Sequence, residues 1–533
     1  MIYINIIIYI FITILTTSCI ELPKEERVVR LDAAAVSVPV VPDVFKQLRQ
    51  VAFNHYGLID GSTYNYNILS DGDVGYNGPP VVIGSNYALS LYNRGDRLVF
   101  PTATALYAHR IYSNSVFAPL TSLLSSATAI TKLDRTVSTT FYSVKNPLLR
   151  KDTNENVMAV SLAKQANNAS FTEPLAFRFD RTAQLWSRFQ RLENDLTHNV
   201  SVVAEPAYTS RETVLLWVHN NLLRYRLYTT STGWQNAATT TGLNGDSVQN
   251  TGVDIDFDQY DNGYLVYHHS GGGTDHIRVG RVGRTWPSMI PLPTDAARFL
   301  SVDNQATASP FGYPKVFVGS RGDAHVFFLR PPTAITGGDL YYTSTPATSS
   351  RALGAFSAAE RIDEDYGDSL RSVVTQSPSA RIKPFFLAKA TNQAMLLFIK
   401  SDGSTTSPTQ RLYGLNYNAT TYAFESVGQI DLGAASDDVV DASVAINDAG
   451  QAIVAWVARD DSNSGRYKVH ARQYSGSSWS EVYDLSSYIT DSSVSSSELL
   501  PTTSINANGE AMVGFSCYDQ VLGYRRTAVG FFY

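Results

Sequence analysis

The stretch "DASVAINDAGQAIVAWVARDDSNSGRYKVHARQYSGSSWSEVYDLS" (residues 441–486) divides into four short runs that each read as a strand. "SVAI" leads through the turn "NDAG" to "QAIVAWV". Past a polar loop come "RYKVHARQY", a tight turn and "SWSEVYDL". Turn-forming residues bound each run, and several runs alternate apolar and polar side chains, the period of a half-buried strand. The same order recurs. "TTSINANGEAMVGF" (502–515) repeats the first two runs nearly position by position, with Gly509 in the slot of Gly450 and Phe515 in that of Trp456. Looser copies of the second run are "GDAHVFF" (322–328), "NQAMLLF" (392–398), "NGYLVYH" (262–268), "RETVLLW" (211–217), "RGDRLVF" (94–100) and "ENVMAVSL" (155–162). A tryptophan recurs in the closing run at Trp186, Trp234, Trp286 and Trp479.

Units of roughly 55–65 residues, each with four antiparallel strands and no helical periodicity, specify an all-β chain folded as a β-propeller. Each small sheet exposes apolar faces that its neighbours must cover, and a ring leaves no terminal sheet bare. Eight blades are expected. Seven is the alternative, because 142–190 is the least regular copy. The chain stops at "TAVGFFY" after three runs of its final unit. The missing outer strand is therefore expected from the segment ahead of the first unit, somewhere in 27–85, closing the ring. The expected organisation is a signal peptide at 1–18, a linker at 19–45, a segment at 46–85 contributing the closing strand, and the repeats at 86–533. The repeat resembles that of bacterial exported β-propeller lipoproteins, whose Asn-x-x-Gly-x-Ala pattern followed by tryptophan is met by Asn447, Gly450, Ala452 and Trp456. The resemblance implies a fold and an exported location. It implies no activity.

The N-terminus agrees with export. "MIYINIIIYIFITILTTSC" is a short apolar run ending in small residues and then Cys19, ahead of the charged "KEER". Its length and small-residue end read as an export signal rather than a retained transmembrane helix. It resembles a bacterial lipoprotein signal, which implies cleavage before Cys19 and lipidation of that cysteine. Leu15 stands one place ahead of the usual leucine, and the leading region carries no Lys or Arg. The expected partner is thus a membrane, reached through Cys19, and the expected location is the bacterial cell envelope at its outer membrane, with a secreted or periplasmic protein as the alternative. The only other cysteine is Cys517. A disulfide framework and a multi-cysteine metal site are excluded if Cys19 is lipidated.

Charged residues make up 17% of the chain and its net charge is -6. Nucleic acid is excluded as a partner, because phosphate binding needs clustered Lys and Arg. "SRGDAHVFF" (320–328) holds Arg321-Gly322-Asp323, a tripeptide used in cell adhesion. Aligned on Gly450, however, Gly322 fills the turn slot between the first and second strands, as does Gly95 in a second copy at 94–96, so both read as turns. "HHSGGGTDH" offers His268, His269, Asp275 and His276, but adjacent strand residues face opposite ways, so His268 and His269 do not chelate together. "VDIDFDQYDNG" puts Asp254, Asp256 and Asp258 on one face of an innermost strand, where mutual repulsion would favour a bound Ca²⁺. Position six of an EF-hand reading would be Gln259, not glycine. No other cofactor is expected.

No Asp-box of the sialidase kind, Gly-x-Ser-x-Gly elbow, His-Glu-x-x-His helix, phosphate loop or dinucleotide fingerprint occurs. The loops between second and third strands vary most: "KQANNASFTE", "SGGGTD", "PPTAITGGD", "SDGSTTSPTQ" and "DDSNSG". Variable loops on a rigid scaffold are where binding resides. Tyr341, Tyr342 and Tyr413 nearby offer flat amphipathic rings suited to sugars or protein partners. The expectation is a monomeric, non-catalytic binding module that takes a glycan or protein on this rim. The alternatives are a carbohydrate-active enzyme (glycosidase or lyase) and a scaffold for outer-membrane assembly.

Overall fold

The computed structural model is all β. Residues 1–44, 50–87 and the longer connections, among them 112–129, 283–298, 303–311, 363–384 and 402–409, lie outside the described residues. The strands form eight antiparallel sheets, numbered 1 to 8 here in chain order. Sheet 4 shows the pattern: Ser247–Phe257, Gly263–Gly271, Thr274–Val282 and Phe299–Ser301 lie side by side in that order. Sheets 1, 5, 6 and 7 have the same order. In sheets 2 and 3 both edge strands, the first and the fourth, break into two pieces, which raises the count to six strands.

Sheet 8 is completed by the other end of the chain. Its own strands are Thr502–Ile505 with the short Ser492–Ser493, then Ala511–Asp519 and Tyr524–Phe532. Its outer strand is Phe45–Arg49, antiparallel to Tyr524–Phe532, with Leu48 opposite Gly530. The closing strand opens at residue 45, the last residue allotted to the linker. The first strand of sheet 1 (Ala88–Tyr92) packs against both sheet 8 and sheet 2, so the ring closes.

The core lies between the sheets rather than within one centre. Leu216 and Tyr225 of sheet 3 pack with Ile255 and Leu265 of sheet 4. Val266 of sheet 4 packs with Val316 and Val326 of sheet 5, and the same layering joins sheets 5 and 6, 6 and 7, and 7 and 8. A second strand covered on both faces reads as an unbroken apolar run, which is why Glu212–His219 ("ETVLLWVH") is buried throughout. In sheets 3 to 8 one slot of that strand is aromatic: Trp217, Tyr267, Phe328, Phe398, Trp456 and Phe515 align there, whereas sheet 2 has Ser161. In sheets 3 to 7 this ring packs into the layer facing the preceding sheet.

Candidate functional site: the centre of the ring and its two rims

First strands are edge strands, paired on one side only. Their unpaired side faces the middle of the ring, where backbone groups need partners. In sheet 5 these partners are side chains of sheet 4. Asp254 accepts the Val316 N–H at 3.0 Å and Asp256 the Val318 N–H at 3.0 Å. The carboxylates are 0% and 1% exposed, so each also needs a cation. Lys389, at the end of the first strand of sheet 6, reaches Asp254 at 3.0 Å and donates to the carbonyls of Ile255 (3.4 Å) and Val316 (3.3 Å). Lys315 of sheet 5 stands 3.7 Å from the other oxygen of Asp254. Arg150, on the first strand of sheet 2, binds Asp256 at 2.9 Å and the Pro206 carbonyl of sheet 3 at 3.3 Å. Sheets 2 to 6 are thereby tied through two carboxylates. Burial pushes the Asp254 carboxyl upward, but Lys315 and Lys389 outweigh it and hold the group below the ordinary carboxylate value.

The repulsion that was expected to ask for Ca²⁺ is met here by the protein's own cations. Asp258 stands apart from the other two: its oxygens accept the N–H groups of Tyr260 and Asn262 and the Asn262 amide, capping the turn. Among the described residues no group of three or more His, Cys, Asp or Glu is arranged to hold a metal.

The turns between first and second strands repeat this capping. Asp152 binds Asn156 as Asp258 binds Asn262, and Asn447 accepts the N–H groups of Ala449 and Gln451. Adjacent turns are stitched together, Asp261 accepting the N–H and hydroxyl of Ser210, and Asp448 those of Thr391. Gly322, Gly450 and Gly509 take φ of +82°, +77° and +87° in the shared slot. Arg321-Gly322-Asp323 is therefore a turn, and its aspartate is not available to a receptor. Asp323 is 3% exposed, with the Nε2 of His325 at 2.7 Å and the Tyr417 hydroxyl donating at 2.7 Å. The other ring nitrogen of His325 meets the Tyr342 hydroxyl at 2.7 Å. Against the upward push of burial, these bonds hold the Asp323 carboxyl below its ordinary value. A Cβ on Gly319 would collide with the Asp323 carboxylate and the Tyr417 hydroxyl, which explains that glycine. The copy at 94–96 differs: Gly95 already belongs to the second strand, opposite Tyr92, and Arg94 lies outside the described residues.

The three tyrosines do not form one face. Tyr342 and Tyr413 border the layer between sheets 5 and 6, whereas Tyr341 faces the layer between sheets 4 and 5, stacked on Phe328 and under Arg330 at 4.0 Å. Neighbours in a strand point oppositely. Cys19 and most of the second-to-third-strand loops lie outside the described residues. Sheet 3 has no such loop: Asn220 and Asn221, at φ +50° and +59°, make a two-residue hairpin turn.

An arginine clamp was missed in the sequence. Arg226 binds the Gln235 carbonyl of its own sheet and the Arg191 carbonyl of the preceding one. Arg472 does the same with Ser480 and Ile430. The signal was legible as Arg-x-Tyr ahead of tryptophan in "RLYTTSTGW" and "RQYSGSSW".

The closed ring of small antiparallel sheets makes the protein a β-propeller. No protein-family model and no curated protein matches the chain. Among solved structures it is similar to the β-propeller domain of the Trilobed protease from Pyrococcus furiosus, at 9% identity and a TM-score of 0.37, over 72% of this chain and 93% of that one. It is also similar to the polysaccharide lyase Uly1, at 8% identity and a TM-score of 0.38, over 84% and 100%. An exo-β-1,3-galactanase from Phanerochaete chrysosporium matches at 11% identity and a TM-score of 0.30, over 61% and 78%. Activity is not carried over from likenesses of this kind.

Proposed function

We propose that the protein is a lipid-anchored β-propeller of the bacterial cell envelope that binds a glycan or protein partner, without catalysis, on the rim carrying the second-to-third-strand loops. The observation that carries this reading is the state of the ring's centre. Asp254, Asp256, Lys389 and Arg150 bind one another and neighbouring backbone, and Asp323 and His325 are held in the same way. Glycoside chemistry needs a carboxyl pair that faces substrate, one oxygen free to give or take a proton. The buried carboxylates named here are instead committed to holding sheets together. Function is left to the rim, where loop sequence varies and the scaffold beneath is rigid. The anchor rests on the Cys19 signal.

The mature chain on a glycan array, with the same oligosaccharides incubated and analysed for products, tests the central part. Saturable binding with intact sugar is expected; released reducing ends or unsaturated products would sink the non-catalytic reading. Incorporation of labelled fatty acid, abolished by Cys19→Ala, tests the anchor. Protease shaving of whole cells tests surface exposure, and complete protection would count against it.

A further inference from the structure

The chain that follows Cys19 joins the ring at one defined end. Phe45, the first residue of the closing strand, stands opposite Phe532, Phe532 opposite Ala511, and Ala511 opposite Ile505. These four form the last row of sheet 8 before its turn at 506–510. The closing strand therefore begins at the rim of the first-to-second-strand turns. Turns between third and fourth strands share that rim, because neighbouring antiparallel strands reverse direction. The second-to-third-strand loops occupy the other rim, beyond nine-residue strands such as Ala511–Asp519, roughly 30 Å away. The turn rim is level. Its turns at 258–262, 319–323, 390–393 and 447–451 are each closed by a backbone hydrogen bond between their end residues, at 2.8–2.9 Å. Exposed positions at 230–232, 420–421, 475–478 and 507–508 hold only Thr, Ser, Gly, Ala and Asn. The carboxylates are occupied: Asp261 by Ser210, Asp448 by Thr391, and Glu425 by Asn418 and Thr421. On sheets 4 to 6 the same rim presents Tyr260, 54% exposed, and Arg321, whose guanidinium lies 4.1 Å over the Tyr422 ring. Tyrosine is the side chain of a bilayer's headgroup layer, and arginine pairs with phosphate there.

We propose that the turn rim lies on a lipid surface, with Tyr260, Arg321 and Tyr422 against the headgroups, so that the loop rim points away from the bilayer. The proposal rests on the lipid anchor at Cys19. Between Cys19 and Phe45 stand 25 residues (20 to 44), a reach of at most about 85 Å. Bringing the turn rim to the membrane uses none of that length to pass a blade. Presenting the loop rim would spend roughly 30 Å of it along the outside of sheet 8. The tether at sheet 8 and the tyrosines at sheets 4 and 6 stand well apart around the ring, so together they set the rim flat.

Hydrogen exchange of the lipidated chain on phosphatidylcholine vesicles, compared with the Cys19→Ala chain in solution, tests this. Amides at 259–261, 320–322 and 420–422 should exchange roughly threefold or more slower on the vesicles. Those at 220–222, in the hairpin turn of the other rim, should be unchanged. Tyr260→Ser combined with Arg321→Ser should remove most of that protection while the chain still floats with the vesicles. Protection at 220–222, protection at neither rim, or protection indifferent to the double substitution would overturn the proposal. Flotation separates it from the anchor. A chain made in cells that does not float contradicts lipidation at Cys19. The rim is then tested with a hexahistidine replacing residues 1–19, held on nickel-chelating lipid, and the same protection pattern decides.

Discussion

The first strands of sheets 4 and 7 have the same position and solve the same problem differently. Aligned on their turns, Asp254 of sheet 4 corresponds to Ser443 of sheet 7, and Asp256 to Ala445. In sheet 4 the slot carries a charge that recruits Lys315 and Lys389 and caps a backbone N–H of sheet 5. In sheet 7 Ser443 makes one hydroxyl contact, 2.9 Å to Thr503 of sheet 8. The regular solution reaches only the next sheet. The ionic one reaches sheets 2, 5 and 6, because a buried carboxylate must find long cationic side chains wherever they can extend. The charged strand of sheet 4 thus ties sheets 2 to 6 together, where the Ser443 strand joins only sheets 7 and 8.

Substitutions should separate the two solutions. Asp254→Ala leaves Lys389 buried without its carboxylate and should cost about 3–5 kcal/mol in urea unfolding. A loss under about 1 kcal/mol would put Asp254 on a par with Ser443. Asp323→Ala, which strands His325 and Tyr417, should cost about 2–4 kcal/mol. Integrin-dependent cell adhesion should be the same for Asp323→Glu as for the unaltered protein. Gly450→Ala meets only ordinary contacts with Gln393, so its cost should be the positive φ alone, about 1–2 kcal/mol. Ser443→Ala should be the mildest, about 1 kcal/mol.

Acid sharpens the contrast. The folded Asp254 carboxyl lies below the ordinary 3.8, so its contribution is complete above that pH and is lost as pH falls through the folded value. Asp254→Asn should flatten the acid limb of stability, while Ser443→Ala leaves its shape unchanged. Glu173 works in the other direction. Burial pushes it up to about 7 against the pull of Arg191, so the folded state holds the proton more tightly and stability declines as pH rises from about 4.5 to about 7. Glu173→Gln should remove that decline, as read from unfolding midpoints across the interval.

The four-strand unit was legible because its signals are local. Asn447, Gly450 and Trp456 are each fixed by their own turn or strand. That Asp254 and Asp256 share a face also followed from the strand period. Their partners did not: Lys389 and Arg150 lie 135 and 106 residues away along the chain, and only ring closure brings them within reach. The tyrosines were grouped by nearness in sequence, although period two already sends Tyr341 and Tyr342 to different layers. That His269 stands opposite His276 was not legible, because it depends on the register of the glycine hairpin.

The most direct test of the ionic clasp is a double-mutant cycle between Asp254 and Lys389, using Asp254→Leu, Lys389→Met and the two together in urea unfolding. A buried pair that holds the ring should show each single change strongly destabilising and the double change recovering much of the loss, with a coupling energy of about 2 kcal/mol or more. Additive losses, with coupling near zero, would contradict the clasp.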